Sequence, residues 1–229
     1  MKIDFTGKKA LVTGHTRGIG KAIYDQLKSL GAEVIGMSSA DVDFRDNDAL
    51  LKYILQLTHQ KSAFDILVNC AGINILSEFN RTCIRDFDEV MAVNINAPFA
   101  ISKVVVHDMI FKKYGRIVNI SSVFGTITKE NRVAYTTSKH ALIGMTKTMG
   151  VELAKHNILV NSVSPGFTMT DLTEKILGAD GIENIKTQIP IGRLANVDEI
   201  SNVVMFLCSD YNTYITAQNI IIDGGFTNI

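Results

Sequence analysis

Short apolar runs rich in β-branched residues recur along the chain, and a stretch of helical length separates most neighbouring pairs. The runs are "KALVTG", "AEVIGM", "DILVNC", "GRIVNIS", "ILVNSVSPG" and "NIIID". Helical patterns fill about 18–30, 46–60 and 82–113, then "RVAYTTSKHALIGMTKTMGVELAKH" and "VDEISNVVMFLCS". A strand that is apolar on both faces needs cover on both, and single intervening helices supply it when the strands run parallel. The expected fold class is therefore α/β, a single-domain doubly wound parallel sheet with helices on both faces. In the long helix, Leu142, Met145, Met149 and Leu153 recur at three- and four-residue spacing and form one apolar stripe, for the core or for a subunit contact.

One interval breaks the alternation. Only a few residues separate "VIGMS" from "DVDF", whereas a parallel crossover takes about a dozen or more. The usual helix cannot fit there. The sheet is expected to have a shortened or missing third edge strand and to lack the helix that precedes it.

Without a linker, repeat or low-complexity tract, the sequence reads as one domain over residues 1–229. Lys plus Arg (23) equals Asp plus Glu (23), so no overall basic field exists to draw nucleic acid or an anionic membrane. Apolar windows such as "VVMFLC" fall far short of the ~20 residues of a membrane span. The opening "MKIDFTGKKA" lacks the apolar region of a secretory signal. The expectation is a soluble, cytoplasmic protein without nucleic-acid or membrane partners. Cys70, Cys83 and Cys208 are odd in number and far apart, which makes each a small core residue in a reducing compartment. The five histidines show no metal-ligand spacing, and no metal is expected.

The chemistry begins where the first strand runs into "TGHTRGIG", residues 13–20. Gly14, Gly18 and Gly20 permit a tight turn, let backbone N–H groups approach a pyrophosphate, and bring a helix N-terminus against its charge. The spacing differs from G-x-G-x-x-G, but the strand–turn–helix context is the one a dinucleotide site needs. Further on, "AYTTSKHA" sets Tyr135 and Lys139 one helical turn apart on a shared face. An ammonium ~5 Å from the phenol oxygen, at an effective dielectric of ~20, favours the phenolate by about 3 kcal/mol, which suits the tyrosine to general acid/base work.

These segments occur in a fixed order with "NCAG" at 69–72, Asn94 in "VNINAPF", Ser122 in "ISS", and "SPGFTMT" at 164–170. In that order the chain resembles the short-chain dehydrogenase/reductase family across nearly its full length. The resemblance implies a Rossmann-type fold and a catalytic set of Asn94, Ser122, Tyr135 and Lys139. Tyr135 would exchange a proton with the substrate oxygen, Ser122 would hydrogen-bond that oxygen, and Lys139 would also hold the nicotinamide ribose. Asn94 would organise a water relay. The same resemblance places the cofactor on Gly14, Thr16, Arg17, Gly18, Ile19, Gly20, Ser38, Ser39, Asp43, Phe44, Asn69, Ala71, Gly72, Tyr135, Lys139, Pro165, Gly166 and Thr168, with Asp43 and Phe44 beside the adenine. Ser122, Tyr135, Phe124 and Phe167 would contact substrate, with Ile73 and Asn74 beside them and Arg132 flanking the mouth.

At the end of the second strand, dinucleotide folds place an acid for a free ribose 2′-OH or a basic partner for a 2′-phosphate. Ser38 and Ser39 stand there, and Arg17 lies in the glycine loop, which favours NADP(H) while leaving NAD(H) possible. Asp41 and Asp43 qualify that preference, since either could repel a phosphate, and His15 could touch one. Loss of the edge unit would leave the adenine pocket open on one side. The pattern is most similar to 3-oxoacyl-[acyl-carrier-protein] reductase-like members, which implies a small-molecule or carrier-linked carbonyl substrate and a homo-oligomer, dimer or tetramer. The alternatives are a sugar or nucleotide-sugar ketone reductase, and more remotely a non-catalytic NADP(H) sensor. A short segment at about 167–192 is expected to close the substrate site.

Overall fold

The computed structural model describes residues 2–61 and 63–229. Strands β1 (Lys9–Thr13), β2 (Glu33–Met37), β3 (Ile66–Asn69), β4 (Gly115–Ile120), β5 (Ile158–Pro165) and β6 (Asn219–Ile222) form one fully parallel sheet. Their order is β2-β1-β3-β4-β5-β6. Thr13 is in register with Met37 on one side and Asn69 on the other, and Asn69 with Asn119. The carboxyl ends are therefore level, and the strand order reverses at β1, where an open parallel sheet leaves a crevice for a ligand.

Alternation along the strands feeds two cores. Ala10, Val12, Ile66, Val68, Val118 and Val163 face helices α1 (Gly18–Ser29) and α7 (Val197–Cys208), which contribute Ile23, Leu27, Ile200 and Val204. Leu11, Leu67, Ile117 and Val160 face the other way, against Leu50 and Ile54 of α2 (Asn47–Lys61) and Ile101, Val105 and Met109 of α4 (Ala97–Lys112). Met149 and Leu153 of α5 (Val133–Leu153) pack on this second core. The stripe expected on the long helix thus lies, in part, against the sheet. The helical stretch Ile84–Lys112 has the length and hydropathy of a membrane span, but half of its apolar window is buried, and Val93, Ile101, Val105 and Met109 within the stretch are core residues of this sheet.

The edge of the sheet is truncated as expected. From Met37 to Asn47 the chain passes through turns alone, held by Asp41 N–H to Ser38 O (3.0 Å) and Asp46 N–H to Asp43 O (3.1 Å). Strand β2 is consequently the rim on that side.

Three local features differ from the sequence reading. The helical region 82–113 is broken into α3 (Ile84–Met91), a π-helical turn at Ala92–Asn96, and α4, which takes Pro98 in its first turn. Single π turns of this kind interrupt helices frequently at functional positions. The closing segment is mainly helix, α6 (Asp171–Gln188), interrupted at Gly178 (φ 64, ψ 179) and started by Thr170 Oγ1 accepting from Thr173 N–H at 3.2 Å. Cys83, read from sequence as a core residue, is exposed and caps α3 through Asp86 N–H. Its sulfur takes the place of the hydroxyl or carboxylate usual at that position.

Candidate active site

A cleft of about 740 Å³ opens above the carboxyl ends of the strands. It is lined by eighteen residues first singled out for cofactor or catalysis, from Gly14 and Gly20 at one end to Ser122, Tyr135 and Thr168 at the other. Phe124 and Phe167, with Ile73, Asn74 and Arg132, the residues expected on the substrate side, also line it. Asn69, Asn94 and His15 do not line it.

The glycine loop is pinned by its neighbours. Gly14 N–H donates to Met37 O at 2.8 Å, and Thr13 Oγ1 accepts from Cys70 and Ala71 N–H, both at 3.0 Å. Gly14 has φ +68, and a Cβ there would lie 2.8 Å from the Ala71 backbone. At Gly20 a Cβ would lie 2.2 Å from Gly14 O. Only glycine satisfies both positions. Helix α1 then starts at Arg17 with no side-chain cap and no acid in its first turn, so its orphan N–H donors and positive end are available to an anion.

The catalytic candidates converge from three elements. Lys139 is only 4% exposed; its Nζ donates to Ile120 O at the end of β4 (2.8 Å) and lies 5.5 Å from the centroid of the Tyr135 ring. An ammonium has three donors, so two remain for a ligand. Ser121 Oγ donates to Lys139 O (3.1 Å), tying β4 to α5, and places Ser122 at the head of the turn Val123–Gly125. Ser122 Oγ accepts from Phe124 N–H at 3.2 Å, which leaves its own proton to donate. A Cβ at Gly72 would sit 3.3 Å from Asn94 Oδ1 and 3.6 Å from Lys139 Nζ, so these groups flank one point on the cleft wall.

Asn94 and Asn69, named from sequence as site residues, stand back from the cleft, as does His15. Asn94, 1% exposed, has its whole carboxamide engaged: Oδ1 accepts from Ile73 N–H (2.9 Å), and Nδ2 donates to Ile73 O (3.0 Å) and Ser138 Oγ (3.0 Å). That side chain clamps the β3 loop to α5 rather than reaching into the cleft. Asn69, expected on the cofactor, instead donates to Ser102 Oγ (3.2 Å) and Asn119 Oδ1 (2.8 Å) within the buried sheet. His15 likewise packs on Gly36 and on the Tyr24 ring, 5.2 Å between centroids.

At the far end of the cleft both acids are engaged. Asp41 Oδ2 accepts from Ser38 N–H (2.8 Å) and Oγ (2.9 Å), and it does not line the cleft. Asp43 does, but Arg45 grips it through Nε (2.9 Å) and Nη2 (2.8 Å), which holds the Asp43 carboxyl below its ordinary range. Arg45 also reaches Glu89 at 3.2 Å. On the substrate side Phe124 meets Phe167 edge-on at 6.4 Å, and Phe167 meets Phe226 at 5.3 Å. Ile185, Ile189 and Leu194 form a small separate core beneath α6, with Leu177 and Phe226 packed on it.

A family profile described as Enoyl-(Acyl carrier protein) reductase matches residues 35–227. The chain is 38% identical over 247 residues to the 3-oxoacyl-[acyl-carrier-protein] reductase FabG of Aquifex aeolicus (strain VF5), covering 98% of this chain and 99% of that one. This chain belongs to the short-chain dehydrogenase/reductase family. It is an oxidoreductase acting on CH–OH and ketone groups. A gluconate 5-dehydrogenase from Burkholderia cenocepacia J2315, in complex with NADP and tartrate, superposes with a TM-score of 0.92 at 26% identity, over 100% of this chain and 98% of that one. A 4-hydroxyisoleucine dehydrogenase complexed with NADH gives 0.91 at 33% identity, over 96% and 98%. The 247 aligned positions exceed the 229 residues of this chain, so the bacterial reductase carries residues that this short-chain dehydrogenase/reductase lacks.

Sequence reasoning passed over several cleft residues of this family member. Arg45 and Glu89 line the cleft beside Asp43, and Thr170, Asp171, Thr173 and Leu177 line it along α6. The T-D-L-T start of α6 is a capping signal that could have located that helix. Arg45 carried no motif; only its ion pair with Asp43 places it.

Proposed function

We propose that the protein is an NADP(H)-dependent reductase of 3-oxoacyl thioesters, interconverting a ketone and a secondary alcohol with Tyr135 as general acid/base. The observation that carries this reading is Lys139, buried one turn after Tyr135, fixed to Ile120 O and 5.5 Å from the tyrosine ring in the cleft that Ser122 also lines. Tyr135 holds the proton that passes to the carbonyl oxygen during reduction and takes it back during oxidation. Ser122, with a lone pair already occupied by Phe124 N–H, donates to the same oxygen as negative charge develops there. Asn94 is a positioning residue, holding Ile73 and Ser138 around the lysine.

The residues present fit a dinucleotide. The glycine loop leaves room for a backbone approach, and the uncapped start of α1 suits a pyrophosphate. Gly14, Thr16, Gly18, Ile19 and Gly20 would hold that pyrophosphate, Asp43 and Phe44 the adenine, and Ala71, Gly72, Pro165, Gly166 and Thr168 the nicotinamide half. Bound there, the nicotinamide supplies or accepts the hydride. The 2′-phosphate reading rests on Arg17 and Arg45 at the cleft, on Ser38 in place of an acid, and on Asp41 and Asp43 both being engaged by neighbours. One related structure is complexed with NADP and another with NADH, so the discrimination falls to these side chains.

The test is loss of NADPH absorbance, with NADH in parallel, on mixing the protein with an acetoacetyl thioester. Oxidation of NADPH in preference to NADH is the expected result; a thioester that leaves both cofactors unconsumed would sink the reading. Ser38→Asp should raise KM for NADPH by about 10²-fold, the size of a like-charge contact near 5 Å at an effective dielectric of 20, and leave KM for NADH much less changed. An equal rise for both cofactors would remove Ser38 from the phosphate site.

A further inference from the structure

Among the described residues, Arg132 is a cation without a carboxylate partner. It lies three residues before Tyr135, at the position preceding α5, and its side chain lines the catalytic cleft. Its backbone is fixed on both sides: Asn131, in the left-handed region (φ 64), accepts from Ser77 N–H at 3.1 Å, and Arg132 O accepts from Thr136 N–H at 2.7 Å. The guanidinium rests on the Phe124 ring, Cζ 4.6 Å from the centroid, and that ring meets Tyr135 edge-on at 6.5 Å. Among the described residues no carboxylate pairs with Arg132 and no acceptor takes its side-chain N–H groups. Glu78, next to the Ser77 that bridges to Arg132, pairs with Arg81 at 3.4 Å, while Glu130 is exposed along a side cleft of about 290 Å³ and Asp171 is exposed at the start of α6.

A half-buried guanidinium is ordinarily paired, because burial without a partner disfavours its charge. Burial does pull the Arg132 pKa below its usual value. The aromatic face offsets part of this but satisfies none of the in-plane N–H donors. A rigid fork of such donors, set beside the group that protonates a ketone, matches a carboxylate in shape and charge.

We propose that Arg132 anchors a substrate carboxylate a few bonds from the carbonyl held by Tyr135 and Ser122, so that the same site takes free oxo acids beside 3-oxoacyl thioesters and binds the acids more tightly. This rests on the reading of Tyr135 and Ser122 as the carbonyl site. A 3-oxoacyl thioester presents a neutral carbonyl oxygen at the corresponding place, which the same N–H groups bond more weakly than an anion.

The deciding measurement is titration calorimetry on the protein saturated with NADP+, which prevents reduction of the probe. Acetoacetate and its uncharged counterpart methyl acetoacetate are compared in the wild type, Arg132→Gln and Arg132→Lys. The wild type should bind the carboxylate about tenfold or more tightly than the ester. Arg132→Gln should abolish that difference while weakening the ester far less than the carboxylate, and Arg132→Lys, which keeps the charge and an apolar stem, should retain part of it. Equal affinity for the two probes in the wild type overturns the proposal, as does a parallel loss of both in Arg132→Gln. Turnover of the acetoacetyl thioester is scored separately. A wild type that prefers the carboxylate but consumes no cofactor leaves the anchor standing and removes the reductase reading; turnover without the preference does the reverse.

Discussion

Tyr135→Phe is expected to reduce turnover by about 10²–10⁴-fold, the range that one positioned acid/base supplies, while the protein still binds its nicotinamide cofactor. The variant removes one oxygen and keeps the ring that meets Phe124 edge-on and lies under Lys139. Packing is therefore conserved, and Lys139 retains its bond to Ile120 O. Steady-state rates measure the first effect, and fluorescence titration of the reduced cofactor measures the second. A reading in which the protein only senses NADP(H) makes the opposite forecast, since a sensor uses the glycine loop and has no need of a proton donor. Undiminished turnover in Tyr135→Phe would take the general acid/base away from Tyr135.

Gly20→Ala should do its damage at the other end of the cleft. The added methyl would fall 2.2 Å from Gly14 O and 3.3 Å from Cys70 Sγ, and the nearer obstacle is backbone already tied to Met37 O. The loop must open, at a cost of about 1–3 kcal/mol or more for overpacking, and opening destroys the alignment of N–H groups needed for a pyrophosphate. Thermal unfolding with and without NADPH checks both consequences. The wild type should gain stability with cofactor through ordinary binding linkage, whereas Gly20→Ala should unfold at a lower temperature and gain little. A variant that keeps the wild-type response would show that the loop tolerates a side chain there.

Most of the sheet was legible because its strands are apolar on both faces, and that demand leaves few alternatives to a covered parallel sheet. The truncated edge was legible too, from chain length alone: no crossover helix fits between Met37 and Asn47. Helix α6 was not. Its apolar residues serve a small separate core, so they show no stripe, and Gly178 interrupts the period. Within the site, residues marked by glycine spacing or by the helical turn from Tyr135 to Lys139 line the cleft. Asn69 and Asn94 did not follow, because their amides satisfy buried donors and acceptors that exist only once β3, β4 and α5 are packed together. The pairing of Arg45 with Asp43 was invisible for a similar reason, as two neighbouring charges in a sequence do not reveal whether they will meet.

The rim at β2 shows where a fold of this kind can be trimmed. Each parallel strand makes its ladder with its immediate neighbours, so loss of the outermost unit sacrifices one ladder and leaves the registers of β1, β3, β4 and β5 intact. The elements bearing Ser122, Tyr135 and Lys139 all lie on the far side of β1 from the cut. Reacting end and recognition end are thus separable modules, and the turn between Met37 and Asn47 is a natural splice point. A helix and strand from a longer relative, inserted there, would add a wall at the β2 end of the cleft and leave the elements that bear Ser122, Tyr135 and Lys139 untouched.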